Sequence, residues 1–476
     1  MTHINPNVFR EYDIRGLVGQ DLTAETVELL GRGLGTLART AYPSKTPTLA
    51  VGRDARESSV RFRDALAAGL NATGCDVVDV GLVPTPLCYF AANTLPVDGS
   101  AMITGSHNPP AYNGFKVGLG KTTFHGGQIQ ALRAVIEAGD FAQGSGQCRA
   151  HDITTPYLDF VRHNLRLGVR RPKLVLDAGN GVGGIVALPL FQSLGFEVEC
   201  LYLEPDGNFP NHHPDPTVAE NLQALAARVR ETKADLGLAY DGDADRMGLV
   251  DENGRILWGD QVMILLSRAV LAEVPGAVIL AEVKCSLTLF ADIAAHGGKA
   301  IMWKAGHSLI KAKMKETSAE LAGEMSGHIF FANRYFGFDD GIYASARLVE
   351  LLTHTPAPLS TLLADVPKTF STPELRADTT DELKFPLVEA VLAHFRAGAA
   401  AGGYRVIDLD GVRVEFPDGW GLVRASNTQP ILVLRFEAYT EARLAEIRAL
   451  VEGAVARAKR ELSARAPLAA RGVGGV

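Results

Sequence analysis

The sequence predicts an α/β protein with three similar α/β domains plus a smaller C-terminal α+β domain, arranged around a central cleft. Three observations carry this reading. Short apolar runs recur that end abruptly in polar, glycine-containing loops. They come in pairs, at a spacing of about 100 residues, too long for a solenoid repeat. The pattern then changes near Pro367–Pro373.

The first run of each pair is Thr48–Val51, Lys173–Leu176 or Ala277–Ala281, leading into GRDARESS, DAGNG and EVKCS. Each reads as a buried strand feeding a loop and then a helix. The later runs are Ser100–Ile103, Ala234–Tyr240 and Ala319–Leu321, leading into TGSHNP, DGDADR and AGEMSGH. Ligands of open α/β sheets gather beyond the carboxyl ends of strands. Three such ends are therefore expected to face one cleft. The expected domains are 1–150, 151–256, 257–368 and 369–476, carrying the serine loop, the acidic loop, the GEMSGH loop and an RASNTQP loop. Gly139–Arg149 reads as a linker. Met247–Leu257, turning at Asp251–Gly254, closes the second domain as a hairpin. In the fourth domain we expect a helix over Leu383–Phe395, a hairpin turning at Asp410–Gly411, a strand at Ile431–Phe436 and a long helix from about Glu441. The Gly/Ala-rich tail Pro467–Val476 is expected to fray.

Composition narrows the function. At 476 residues the chain is too long for one ordinary core. A net charge of −7 makes it a poor nucleic-acid binder overall, without excluding a local basic pocket. The N-terminus lacks a signal-peptide pattern. The longest apolar stretch, Val262–Val283, is broken by Arg268, Glu273 and Pro275, so no membrane span is expected. Cys75, Cys88, Cys148, Cys200 and Cys285 form no CxxC pair; reduced thiols in a cytoplasmic protein are the simplest reading. Small molecules are the expected partners, with neither nucleic acid nor membrane, and the chain is expected to be a monomer or homodimer.

Four loops carry chemistry. In TGSHNP, Ser106 is flanked by Gly105 and followed by His107, which need not point at it; this is not the G-x-S-x-G elbow of a hydrolase. Lys116 follows closely enough to return to the same site. A serine with exposed backbone amides and a nearby ammonium suits a phosphoryl acceptor; an ST turn is the plainer alternative. In DGDADR, Asp241, Asp243 and Asp245 can converge on one hard cation. They fit positions 1, 3 and 5 of a calcium loop, with Glu252 at position 12, but Arg246 stands where that loop needs glycine and the flanks read as strands. A divalent ion, Mg²⁺, is the expectation. In GEMSGH, Glu324, Ser326 and His328 suit paired recognition of sugar hydroxyls. In RASNTQP, Arg424, Ser426, Asn427 and Thr428 suit a phosphate. Arg15, Lys284, Lys304 and His307 could also reach the cleft. Gly179, Gly181 and Gly184 match a dinucleotide fingerprint, with Glu199 as the ribose acid; this leaves a nucleotide-dependent oxidoreductase as a weaker rival.

Taken together and in this order, the four loops resemble the α-D-phosphohexomutase family, over all but the extreme tail. GEMSGHIFF, YDIRG and KAGHS are similar to its dual-specificity phosphomannomutase/phosphoglucomutase branch. The resemblance implies that Ser106 carries phosphate and that Asp241, Asp243 and Asp245 hold Mg²⁺ together with the phosphoserine. It implies that Glu324 and Ser326 grip sugar hydroxyls. Arg424, Ser426, Asn427 and Thr428 would hold the non-reacting phosphate, and Arg15, Lys116, Arg246, Lys284, His307 and His328 would line the site. The implied activity is reversible interconversion of hexose 1-phosphate and hexose 6-phosphate, of mannose, glucose or both. It would run through a hexose 1,6-bisphosphate, with glucose 1,6-bisphosphate as activator. A general base is needed, and the sequence leaves His328 and His307 open. A mutase for another sugar phosphate, such as glucosamine phosphate, and a non-catalytic sugar-phosphate-binding protein remain as alternatives.

Overall fold

A computed structural model describes residues 4–426 and 430–465. The chain divides into two compact units. One comprises Met1–Cys285, Leu289–Met302 and Gly306–Asp365; the other comprises Ser286–Thr288, Trp303–Ala305 and Val366–Val476.

The larger unit holds three sheets with one repeated kernel. In the first sheet, Thr48–Arg53 pairs in parallel with both Asp76–Leu82 and Gly99–Ile103, and Gly99–Ile103 pairs antiparallel with Tyr112–Leu119. In the second, Leu174–Asp177 lies parallel between Val198–Leu201 and Leu236–Tyr240, and Leu236–Tyr240 pairs antiparallel with Met247–Asp251. The third runs Lys299–Trp303, Val278–Glu282, Leu321–Gly323, Ile329–Phe331, its last pair antiparallel. Numbering the four kernel strands by chain order, each sheet reads fourth–third–first–second. The repetition expected from the sequence is therefore a repetition of topology.

The parallel strands read as unbroken apolar runs because helices cover both faces. In the first sheet, Leu49, Val51, Val77, Ala101 and Ile103 are buried with Val27, Leu34, Phe62 and Leu66 of the helices Ala24–Ala41 and Glu57–Ala72. Thr23 and Thr26 cap the first of these helices reciprocally. One expectation is corrected. The segment read as a linker over Gly139–Arg149 ends inside a strand, Cys148–Ala150, which pairs in parallel with Asp76–Leu82 at the sheet edge. All three of its residues are exposed, so no hydrophobic pattern marks it.

The smaller unit is an antiparallel sheet in which Ile431–Ala438 pairs with Gly419–Ala425, and Gly419–Ala425 with Val412–Phe416. The helices Asp381–Gly402 and Glu441–Arg465 lie on it, burying Leu387, Val391, Phe395, Ile447 and Val451 against Val423, Leu434 and Phe436. The hairpin about Asp410–Gly411 and the C-terminal helix stand where expected, and the strand Gly419–Ala425 is an addition. Among the described residues no helix is long and apolar enough to cross a membrane.

Candidate active site

The larger unit places its three distinctive loops in one topological slot. TGSHNP, DGDADR and GEMSGH each connect the third kernel strand to the fourth.

Ser106 is buried and sits at φ +50°, a left-handed conformation that costs a non-glycine residue about 1 kcal/mol. The loop is held in that shape by Arg56. The buried guanidinium donates through Nε to Asp54 at 3.1 Å and through Nη1 to the carbonyls of Pro109 and Tyr112 at 2.8 and 2.9 Å. Through Nη2 it donates to those of Ser106 and Asn108 at 2.9 and 2.6 Å. All five of its donors are used. In the sequence GRDARESS reads only as a polar loop, and no motif marks this strut. Ser106 Oγ donates to Asp241 Oδ2 at 2.8 Å and lies 3.1 Å from His107 Nδ1. The neighbouring histidine therefore does reach the serine. Burial, with Arg246 and Arg15 nearby, pushes His107 well below the ordinary imidazole range. Arg15 donates to Asn108 at 2.7 Å and pairs with Asp13.

Asp241, Asp243 and Asp245 are fully buried, and one oxygen from each lies within 4.8 Å of the others. Lys116 Nζ donates to Asp243 at 2.7 Å and pairs with Asp245. Its ammonium thus stands among the carboxylates of the cluster that Ser106 meets through Asp241. Thr85 also donates to Asp243. Burial, then the adjacent Asp243 and Asp245, holds the Asp241 carboxyl well above its usual range. Burial also opposes ionisation of Asp243, but Lys116 outweighs it and holds this carboxyl low. Asp243 Oδ1 and Asp245 Oδ1 are buried with no hydrogen-bond partner. Buried oxygens converging with too little positive charge fit a hard divalent cation. Glu252, the twelfth position of the calcium-loop decoy, instead accepts from the amide of Ser360 at 3.2 Å.

Arg246 and His328 join the acidic loop to GEMSGH. They form an antiparallel bridge, and Arg246 Nε donates to His328 Nε2 at 2.9 Å. That bond leaves the proton of a neutral His328 on Nδ1, which faces Asp339 Oδ2 at 3.2 Å and Asp245 Oδ1 at 3.5 Å. His307 stacks on His328 at 5.8 Å, with Nδ1 3.8 Å from the same Asp339 oxygen. Burial, then Lys311, pushes His307 well below the usual imidazole range. Asp339 is itself fully buried and accepts from Lys311 at 3.0 Å. No sequence motif marked Asp339, Lys311 or Thr85. Glu324 accepts from the Gly306 amide at 2.6 Å and from the Ser326 hydroxyl at 2.9 Å, which ties GEMSGH to the KAGHS turn. Gly306 sits at φ +125°, and a Cβ there would lie 2.6 Å from the Tyr12 ring, so only glycine fits the turn.

Lys284 Nζ lies 3.5 Å from Glu282. In the smaller unit, Arg424 donates to Asp410 at 3.1 Å and the buried Ser426 donates its amide to Ile431 at 3.0 Å. Asn427 and Thr428 lie outside the described residues. The glycine fingerprint has a packing cause. A Cβ on Gly181 would lie 2.7 Å from the Gly242 carbonyl oxygen, so this loop packs directly on DGDADR. Glu199 is paired with Arg228 at 2.8 Å. Neither observation supports the dinucleotide reading.

Comparison with known proteins agrees with this geometry. Family models described as phosphoglucomutase/phosphomannomutase α/β/α domains I, II and III match residues 6–143, 155–254 and 258–370, and the corresponding C-terminal domain matches 374–454. The phosphomannomutase/phosphoglucomutase of Pseudomonas aeruginosa PAO1 is 49% identical over 444 residues, covering 93% of this chain and 94% of that one. The phosphoglucomutase of Neisseria gonorrhoeae is 46% identical over 450 residues, covering 94% and 96%. A solved phosphoglucomutase/phosphomannomutase family protein from Burkholderia thailandensis is 45% identical, with a TM-score of 0.90 over 96% of this chain and 98% of that one.

Proposed function

The chain belongs to the phosphoglucomutase/phosphomannomutase family, isomerases that interconvert hexose phosphates, and from that premise we propose that Ser106 is its phosphoryl carrier. The single observation that carries this reading is the buried Ser106 hydroxyl, fixed 2.8 Å from a cluster of three buried carboxylates.

Asp241, Asp243 and Asp245, with the phosphoserine, hold Mg²⁺, which when bound supplies Lewis-acid neutralisation of the phosphate. Phosphoserine donates its phosphoryl group to the free hydroxyl of a hexose 1-phosphate, giving a hexose 1,6-bisphosphate; the hydroxyl proton passes to a base, the departing Ser106 oxygen takes up a proton, and both proton movements reverse in the second transfer. The bisphosphate turns over and returns its other phosphoryl to Ser106, leaving hexose 6-phosphate. Positioning and charge neutralisation dominate such a transfer. Arg56 fixes the loop of the carrier, and Arg246 and Lys116 supply positive charge to the transferring oxygens. His328 takes the sugar hydroxyl proton: Asp339 orients its Nδ1–H and stabilises the imidazolium, leaving the Nε2 lone pair to act once Arg246 turns to phosphate. Glu324 and Ser326 hold sugar hydroxyls. Arg424, Ser426, Asn427 and Thr428 hold the non-reacting phosphate, with Arg15, Lys284 and His307 at the margin. The domains 1–150, 151–256, 257–368 and 369–476 divide these tasks. We place the enzyme in the cytoplasm as a monomer or homodimer that accepts both glucose and mannose phosphates, with glucose 1,6-bisphosphate as activator.

The test is turnover of glucose 1-phosphate, mannose 1-phosphate and glucosamine 1-phosphate with Mg²⁺ and a trace of glucose 1,6-bisphosphate. Glucose and mannose substrates should turn over, and Ser106→Ala should lose roughly 10⁴-fold or more in kcat. Chelation of divalent ions should abolish turnover, and readdition of Mg²⁺ should restore it. Full activity in Ser106→Ala would end the carrier assignment. Turnover of the glucosamine substrate alone would end the sugar assignment.

A further inference from the structure

Within the larger unit, a cavity of about 560 Å³ opens between the first and third α/β domains. It is lined by the helix Thr85–Thr94 and the Lys121–His125 turn on one side, and by the helix His307–Thr317 and residues Phe336–Phe338 on the other. Of the motif segments only KAGHS reaches it, through Ser308; the TGSHNP, DGDADR, GEMSGH and RASNTQP loops line none of it among the described residues.

Its lining has a definite chemistry. Lys121, His125, Lys311 and Lys315 face Glu320 as the one acid among the lining residues. Tyr89, Met314, Phe336 and Phe338 give it an apolar wall. Tyr89 and Ser308 are buried, and neither the phenol oxygen nor the hydroxyl has a hydrogen-bond partner. Buried polar atoms without partners are rare and call for a ligand or water. Excess positive charge and an aromatic wall together suit an anion with an apolar body. The volume suits a molecule of about ten to twenty non-hydrogen atoms.

Lys311 ties the cavity to the catalytic histidines. Its Nζ lies 4.0 Å over the Tyr89 ring and donates to Asp339 at 3.0 Å. The other Asp339 oxygen faces His328 at 3.2 Å and His307 at 3.8 Å. An anion in the cavity competes with Asp339 for the same ammonium.

We propose that this cavity is an effector site for a small organic anion, a carboxylate or phosphate monoester on a compact apolar body, and that its occupancy changes turnover through Lys311 and Asp339. The turnover half rests on the mutase reading given above; the binding half does not. Sites that share a two-state element are coupled by the difference in their affinities for its two states, and here that element is Lys311, paired with Asp339 or with the ligand.

The probes are benzoate and phenyl phosphate, which separate a carboxylate source from a phosphate source. Each is titrated into the full chain under saturating glucose 1-phosphate and followed by saturation-transfer NMR. Ala312 and Lys315 are exposed positions on the helix His307–Thr317, outside the catalytic residues. Ala312→Trp narrows the cavity, and Lys315→Glu reverses a charge at its rim. At least one probe should bind the parent saturably, and each variant should weaken it roughly tenfold, about 1.4 kcal/mol. The bound probe should lower kcat severalfold without raising KM, and Ala312→Trp should abolish that effect while keeping the basal rate. Absence of saturable binding by either probe under saturating glucose 1-phosphate, or parent-like binding in both variants, overturns the site. Binding that leaves kcat unchanged overturns the coupling. Failure of the mutase reading would appear differently, as a parent without turnover that still binds the probe.

Discussion

The Ser106 loop and the Glu324–His328 loop fill the same slot of two copies of one topology, yet opposite means hold them. The first is fastened from outside. One buried guanidinium takes the carbonyls of Ser106, Asn108 and Pro109 and that of Tyr112 where the next strand begins, and Ser106 is kept at a strained φ of +50°. The second fastens itself and its neighbours. Glu324 accepts from Ser326 inside the loop and from Gly306 in the adjacent turn, and His328 meets Arg246 and Asp339. In the proposed mechanism the first loop carries a covalent group and needs one fixed position, because a displacement of about 1 Å can cost 10²-fold in rate. In the same mechanism the second loop receives a sugar in two orientations and can exchange internal hydrogen bonds for bonds to hydroxyls.

Arg56 offers the strongest way to break this contrast. Arg56→Leu leaves Asp54 and these four carbonyls without their donor. We expect a loss of about 3–5 kcal/mol in urea unfolding. Arg56→Lys keeps the charge but not the fork. It should recover much of the stability while kcat stays down roughly 10²-fold. Parent-like turnover in Arg56→Lys would mean that the fork does not position the serine. Glu324→Gln probes the other loop. It should raise KM for glucose 1-phosphate about tenfold, with stability changed by no more than about 1 kcal/mol. An equal fall in kcat at constant KM would make this loop a positioning device like the first.

A pH-dependent effect lies in the segment that follows the GEMSGH loop. Asp340 caps the helix Gly341–Thr353 through the Tyr343 amide and accepts from Tyr157 and Tyr335 at 2.9 and 2.7 Å. Burial pushes its carboxyl up to about 6, from 3.8. A raised folded-state pKa means that the folded protein binds the proton more tightly, so this stabilisation is full below ~4 and lost as pH rises through ~6. Asp340→Asn stays neutral throughout. Its urea midpoint should therefore gain on that of the parent between pH ~4 and ~7. A constant difference across that range would refute the buried titration.

Much of this was legible in the sequence, for a physical reason. A buried parallel strand must be apolar throughout, so TLAV, KLVL and AVILA advertise themselves, and the polar loops that follow stand out by contrast. The acidic triad, Ser106 and Glu324 could be found because their residue types are local and crowded. Arg56, Thr85 and Asp339 act across the fold and leave no such signature. Thr85 and Asp243 are 158 residues apart, and a lone arginine in a polar turn reads as surface. The strand Cys148–Ala150 escaped because it is exposed, and Gly419–Ala425 because Gly419 and Gly421 dilute its pattern. The dinucleotide fingerprint misled in the opposite sense. Its glycines match a phosphate-binding turn in spacing, but here they let one loop approach another closely.

The pairing of Lys116 with Asp243 and Asp245 has a further consequence, for the time order of synthesis. The ammonium precedes its acids by 127 and 129 residues, and Thr85 precedes Asp243 by still more. Lys311 likewise precedes Asp339 by 28. Chains fold from the N-terminal side as they emerge. A ribosome making this protein therefore presents Lys116 and Lys311 before the carboxylates they will neutralise. The strongly anionic loop emerges with one of its counter-charges, Lys116, already made.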